Sequence, residues 1–338
     1  MRRVAGILLV TLGAFGITLG LLMPTVIYDR LAVAPLDPDS ETVAQGTNMT
    51  VFYPGALASG GNPIRTDATV TARRIVSGKF DAPEVELNGD VALWRVGLVV
   101  EDERGTLINA IEQWVCVDRR TAEGLQDCEQ QKIDDGTTEA TNVDQSGLQY
   151  KFPFDTQRKD YDFFDVTLRK ALPISYDGEE SVNGLATYRF VQKIDPVKLE
   201  SREVPGTLFG GEAANITVDR MYQNTRRIWV EPRTGQIVKG EEEQKQFLRG
   251  PNNREFVVLG GTLAWTPQTV QRQVDAARDA SDQLVLLTRT GPIVLWTVGG
   301  LMVIGGLLLL LMRPGGSPAS RHRGRRTRDP EPEPVPTG

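Results

Sequence analysis

The side chains able to do covalent chemistry are few in this sequence, and their types exclude most reactions. The single histidine, His322, lies in an arginine-rich C-terminal stretch. Without another, no Ser-His-Asp or Cys-His arrangement and no histidine-based zinc site can be assembled. No GxSxG, P-loop or GxGxxG occurs. A pair of carboxylates suffices for glycoside hydrolysis, but among 44 acidic residues such a pair arises by chance. We expect no enzyme here, with no catalytic residue, no metal ligand and no cofactor.

Three groups of residues remain as candidates. Cys116 and Cys128 are the only cysteines; in an oxidising compartment such a pair reads as a disulfide, with free thiols as the alternative. Asp155, Asp160, Asp162 and Asp165 are of the type that binds calcium. They lack the spacing and glycine of an EF-hand, and Arg158 and Lys159 lie among them, so a solvated acidic loop is the plainer expectation. The aromatic residues of Tyr150–Phe164 serve either a core or an apolar binding site. With Val96, from the stretch 91–100 that is apolar on both faces, they give the candidate ligand-lining set Val96, Phe152, Phe154, Phe163 and Phe164. Asn48 and Asn215 stand in glycosylation sequons, relevant only in a host that glycosylates.

These residues are framed by two uncharged runs, Val4–Tyr28 and Gly291–Met312. A helix of the first length reaches roughly 37 Å, enough to cross a hydrocarbon core of ~30 Å. The first is too long for a signal-peptide h-region, and no small-x-small cleavage site follows it. Arg2 and Arg3 precede it, and six arginines follow the second. Positive charge stays on the cytoplasmic side, so both termini are expected inside. The expected organisation is a cytoplasmic N-terminus 1–3, a span 4–28, an extracytoplasmic domain 29–290, a span 291–312 and a disordered cytoplasmic tail 313–338. Setting aside the charges outside 29–290 leaves that domain 30 basic against 41 acidic residues, which argues against a nucleic-acid partner.

Within the outward segment, strand patterns fall at 68–80, 91–100 and 107–118, rich in β-branched and aromatic residues. The stretch 29–50 reads as loop, and 150–167 as a loop dense in aromatics and acids. Asp177-Gly178 and Asn183-Gly184 are hairpin signals. Further strands are expected at 185–194, 226–230, 236–248 and 255–265, joined by short turns and therefore mainly antiparallel. Thr266 and Pro267 suit the N-cap and first turn of an amphipathic helix to about Ser281. The fold class expected is a membrane-anchored α+β protein, with a mainly antiparallel β ectodomain between N-terminal and C-terminal transmembrane helices.

Several motifs, taken in order, carry a resemblance: Tyr150-Lys151-Phe152-Pro153-Phe154, Phe164-Asp165 with Leu168-Arg169-Lys170-Ala171, Tyr188-Arg189-Phe190-Val191, and Trp229-Val230-Glu231-Pro232 through Thr234-Gly235 to Val238-Lys239-Gly240. Across both apolar runs and most of the segment between them, the chain resembles the actinobacterial envelope family labelled porin PorA, which implies channel formation in the cell envelope. A weaker resemblance, at Gly20–Pro24, Asn183–Val191 and Arg226–Gly235, is to the class B scavenger receptor family. It implies a two-span topology and a β-rich ectodomain with a lipid tunnel, and transfers no ligand-contacting residue.

The sequence alone favours a double-pass plasma-membrane protein, both termini cytoplasmic, whose ectodomain binds or passes an apolar ligand such as an envelope lipid. Its expected partners are membrane lipid and that ligand, with a homo-oligomer as an open possibility. The alternatives are an oligomeric porin-like channel, since two helices cannot enclose a pore, and a non-catalytic envelope scaffold or sensor.

Overall fold

A computed structural model describes residues 1–58, 60–79, 85, 89–136 and 143–312. The tail 313–338, with His322, lies outside them. The helices are α1 (Arg2–Leu22), α2 (Tyr28–Leu31), α3 (Pro54–Ala58), α4 (Pro267–Val285) and α5 (Gly291–Leu311). The chain divides into two compact units, one containing Met1–Gly20 and the chain from Ile293 onward, the other Leu21–Pro292.

In the helical unit, Gly6, Gly13 and Gly20 recur every seven residues on α1 and are its buried positions. A Cβ on Gly13 would stand 2.5 Å from the Gly299 carbonyl oxygen, and one on Gly306 2.8 Å from that of Gly6. Backbone therefore meets backbone, which only glycine permits. The remaining faces expose Ile7, Leu8, Phe15, Leu301, Ile304 and Leu308. Small residues at the contact and large apolar ones outside are how helices pair in lipid. Both helices are long and apolar enough to cross a membrane.

The other unit is a closed β-barrel. Its strands are β1 (Ser40–Phe52), β2 (Ile64–Lys79), β3 (Val91–Asp102), β4 (Leu107–Asp118), β5 (Glu123–Gly124), β6 (Lys132–Asp134), β7 (Gly147–Leu148), β8 (Tyr161–Asp165), β9 (Lys170–Val182), β10 (Leu185–Pro205), β11 (Asn215–Glu231), β12 (Gln236–Arg249) and β13 (Glu255–Trp265). The order β3-β2-β1-β13-β12-β11-β10-β9-β8-β7-β5-β4 returns to β3 through the β3–β4 pairing, and β6 lies beside β4. Every pairing is antiparallel except β7–β8. The antiparallel expectation thus holds, and closure of the sheet is what the sequence did not reveal.

Three local expectations are corrected. The stretch 29–50, read as loop, contains most of β1 from Ser40 on; its polar sequence and its bulge between Gly46 and Met49 hide the alternation. The segment 161–165, placed in a loop, is β8. Asp177-Gly178 is no turn but lies inside β9, whereas Asn183 (φ 48°) and Gly184 (φ 81°) make the two-residue turn into β10. The cap on α4 is as expected: the Thr266 hydroxyl accepts from the Thr269 amide, and the helix runs on to Val285. Cys116 and Cys128 are joined in a disulfide.

The barrel's outer face is charged. Arg95–Glu112 (3.1 Å), Arg189–Asp177 (2.9 Å), Lys198–Asp219 (2.7 Å) and Lys245–Glu255 (2.6 Å) bridge neighbouring strands there. A barrel that spans a bilayer presents an apolar outer band; these ion pairs put charge on the outer face of this one.

Candidate functional site

Alternate residues of successive strands turn inward: Ala72, Arg74 and Val76 on β2, Trp94, Val96, Leu98 and Val100 on β3, and Asn109, Ile111 and Gln113 on β4. Tyr222, Arg226 and Ile228 on β11 and Glu242, Gln244 and Gln246 on β12 do the same. Together they enclose a lumen with a cavity of about 630 Å³. One border is an aromatic core of Phe152, Phe163, Phe190, Ile174 and Ile228. Another is an aliphatic cluster around Met49, Val51, Val70 and Val100, against which Leu98, Leu259 and Leu263 pack. Helix α4 contributes Arg272, Gln273, Ala276 and Ala280, and is seated by Val270, Val274 and Ala277 against Val182, Trp229 and Val238. The Gln273 side chain accepts from Gln236 Nε2 at 2.9 Å, and Arg272 donates to the Glu41 carbonyl at 2.6 Å.

The lumen's charged belt is centred on Arg226. Its Nη2 is 3.2 Å from Asp165 Oδ2, its Nε donates to Glu242 Oε1 at 2.8 Å, and its Nη1 donates to Gln192 Oε1 at 2.6 Å. Tyr222 donates its hydroxyl to the same Asp165 oxygen at 2.9 Å. Burial opposes charge on Arg226, but Glu242 and Asp165 outweigh it and hold the guanidinium protonated. Burial likewise opposes the Glu242 carboxylate, yet Arg226 keeps its pKa below the ordinary value. Burial, then Asp165, pushes the Tyr222 hydroxyl well up. Lys151 donates to the Phe152 and Thr234 carbonyls and sits 3.8 Å from the Phe154 ring centroid. Burial pushes its ammonium down to about 7, against the pull of Glu231.

Of the residues expected to line a ligand site, Val96, Phe154, Phe163 and Phe164 stand in this wall and Phe152 does not. The Phe152 amide donates to the Gly235 carbonyl at 2.8 Å, which turns the ring into the aromatic core, 4.7 Å from Phe190 and 5.4 Å from Tyr161. Three of the four aspartates of the acidic stretch go to separate partners: Asp155 accepts from Tyr28, Asp160 from Ser175 and Tyr176, and Asp165 belongs to the Arg226 belt. Among the described residues no group of three or more His, Cys, Asp or Glu is placed to hold a metal ion. Arg74, Gln113, Arg226 and Glu242 were not legible as lumen residues. Their only signal was a polar side chain at every second position of a strand, which does not say which face is inside.

The family model described as "Porin PorA" matches residues 5–308. A protein from Corynebacterium resistens called "Porin PorA" is 25% identical over 405 residues, covering 93% of this chain and 98% of that one. Another of the same name, from Corynebacterium amycolatum, is 25% identical over 378 residues, covering 90% and 98%. The match runs through both apolar helices and the whole barrel, and the chain belongs to the PorA porin family.

Proposed function

We propose that the chain is a channel-forming protein of the cell envelope, in which α1 and α5 cross the membrane and the β-barrel stands in the extracytoplasmic space as a conduit. The observation that carries this reading is the closed twelve-strand barrel with a cavity in its interior, in a family named for porins. Because the barrel's outer face is charged, membrane crossing falls to the helices. Two helices enclose no pore, so several copies must assemble. Both termini are cytoplasmic in this reading, and no catalytic group takes part. Full-length protein in planar bilayers should give stepwise conductance, lost when α5 is replaced by an unrelated span. A reporter inserted at Gly211 should read outside and one at Gly338 inside. Absence of conductance from reconstituted oligomer would remove the channel.

A second reading, that the lumen holds an apolar ligand, was the one the sequence favoured. The porin relatives point instead to a channel. The observation that keeps it is the aliphatic wall formed by Val96, Leu98, Val100, Leu259 and Leu263.

A further inference from the structure

Five cationic side chains reach the cavity wall among the described residues: Arg74, Lys151, Arg226, Arg227 and Arg272. Four are engaged. Arg226 has Asp165 and Glu242, Arg227 has Glu241 at 3.0 Å, Arg272 has the Glu41 carbonyl, and Lys151 has two carbonyls. Arg74 differs. Among the described residues its one close side-chain contact is with the Tyr150 ring, its guanidinium carbon 5.7 Å from the centroid. The nearby Glu242 feels the Arg74 charge, but its two oxygens are taken by Arg226 and Asn224.

Besides Tyr150 and Glu242, the neighbours of Arg74 include an apolar stretch of wall. In register Arg74 lies between Thr42 on β1 and Leu98 on β3, and Leu98 faces Ile111 on β4. Beyond them the wall continues through Val100, Leu259 and Leu263. A guanidinium fork fits a carboxylate or phosphate in bidentate fashion, and a partly enclosed charge without a partner favours taking one. A mostly apolar cavity of several hundred Å³ with a few placed polar groups is the usual form of a small-molecule site.

We propose that the lumen binds a single-chain amphiphile with an anionic head, carboxylate or phosphate, held by Arg74 with the acyl chain along Leu98, Val100, Ile111, Leu259 and Leu263. The proposal rests on the apolar-ligand reading of the lumen and adds the head group that the reading lacked. Arg226 takes no part in it, because its own carboxylates already neutralise it.

The test uses full-length protein in phosphatidylcholine nanodiscs, with cis-parinaric acid and its methyl ester as probes. Trp94 and Trp265 line the cavity and serve as energy-transfer donors; Trp296→Phe removes the tryptophan of α5 as a background donor. The acid should show saturable transfer at one site per chain, and the ester at least tenfold weaker affinity. Arg74→Met should weaken the acid about tenfold or more and leave the ester unchanged. Arg74→Lys, retaining the charge without the fork, should fall between, with a melting curve for each variant establishing that it is folded. Lysophosphatidic acid should displace the acid probe at concentrations where inorganic phosphate does not. Equal affinity for acid and ester, an unchanged acid affinity in folded Arg74→Met, equal displacement by inorganic phosphate, or no saturable transfer would each overturn the proposal. Conductance in bilayers from the same preparation separates the two readings: a conducting protein without parinarate binding sinks the amphiphile alone, and binding without conductance supports the amphiphile while sinking the channel.

Discussion

The barrel is closed by two regions that reach the same end differently. From β9 round to β4 the wall is made of long antiparallel strands; β10 and β11 pair from Tyr188 opposite Val230 to Pro205 opposite Asn215, with two register shifts between. Between β4 and β8 the ladder shrinks to Val117 opposite Gly124, Glu123 and Gly124 opposite Leu148 and Gly147, and Leu148 opposite Phe163. Side chains and a covalent bond replace the missing ladder. Gln113 donates to the side chains of Gln145 and Gln149, Tyr150 donates to Gln113, and Gln145 reaches the Trp114 carbonyl at 2.8 Å. The Cys116–Cys128 disulfide encloses β5 in its loop. Gly124 allows the approach, since a Cβ there would lie 1.7 Å from the Gln145 carbonyl oxygen. Long strands carry their own hydrogen bonds; a short seam has to borrow them.

The largest effect should come from the long wall, where the price of error is a stranded charge. Arg226→Met leaves Asp165, with no exposed surface, and Glu242 without their cation. It should cost about 3–5 kcal/mol in chemical denaturation. The Glu242 carboxyl is held below its ordinary pKa of 4.5. Its contribution is therefore complete above that value and is lost as pH falls through the lower folded value, and the variant should show a shallower acid limb. Removing the disulfide with paired Cys116→Ser and Cys128→Ser comes next, at about 3 kcal/mol by loop entropy. Hydrogen exchange should quicken in β5 and β7 while β10–β12 keep their protection. If β10–β12 lose protection equally, the seam is not a separate region.

Gln113→Leu tests the borrowed hydrogen bonds. It leaves Gln145, Gln149 and Tyr150 with unpaired buried groups, which should cost about 1–3 kcal/mol, read as a lower urea midpoint. The smallest change is on the outer face of β3, where a Cβ on Gly97 meets nothing within 4 Å. Gly97→Ala should raise stability by about 0.5 kcal/mol through reduced chain entropy. A loss there would mean that the long wall is as tightly fitted as the seam.

The parts of the fold that sequence exposed are those specified by a few adjacent residues. The uncharged runs, the Asn183-Gly184 turn, the Thr266-Pro267 cap and the strands 107–118 and 255–265 depend on neighbours in the chain. Closure depends on pairings such as Val51 with Leu259, which leave no local mark. The candidate site was half visible for the same reason. Val96 and the Phe residues attract notice as apolar groups in excess. Arg74 and Arg226 read as surface until a closed sheet shows that their face is the inside. Phe152 misled because its environment is set by a hydrogen bond to Gly235, distant in sequence.

The pairing of β1 with β13 also sets an order in time. β1 is the first strand of the barrel to leave the ribosome and β13 is the last, so at roughly 5–20 residues per second β1 waits on the order of ten seconds for its partner. Until then it can dock on β2, which leaves its other edge open to any passing chain. Its bulges between Gln45 and Thr50 and its run of Ser40, Glu41, Thr42, Gln45, Thr47 and Asn48 make that edge kinked and hydrophilic. The polarity that disguises β1 as a loop thus guards the nascent protein against aggregation until biogenesis delivers the strand that closes it.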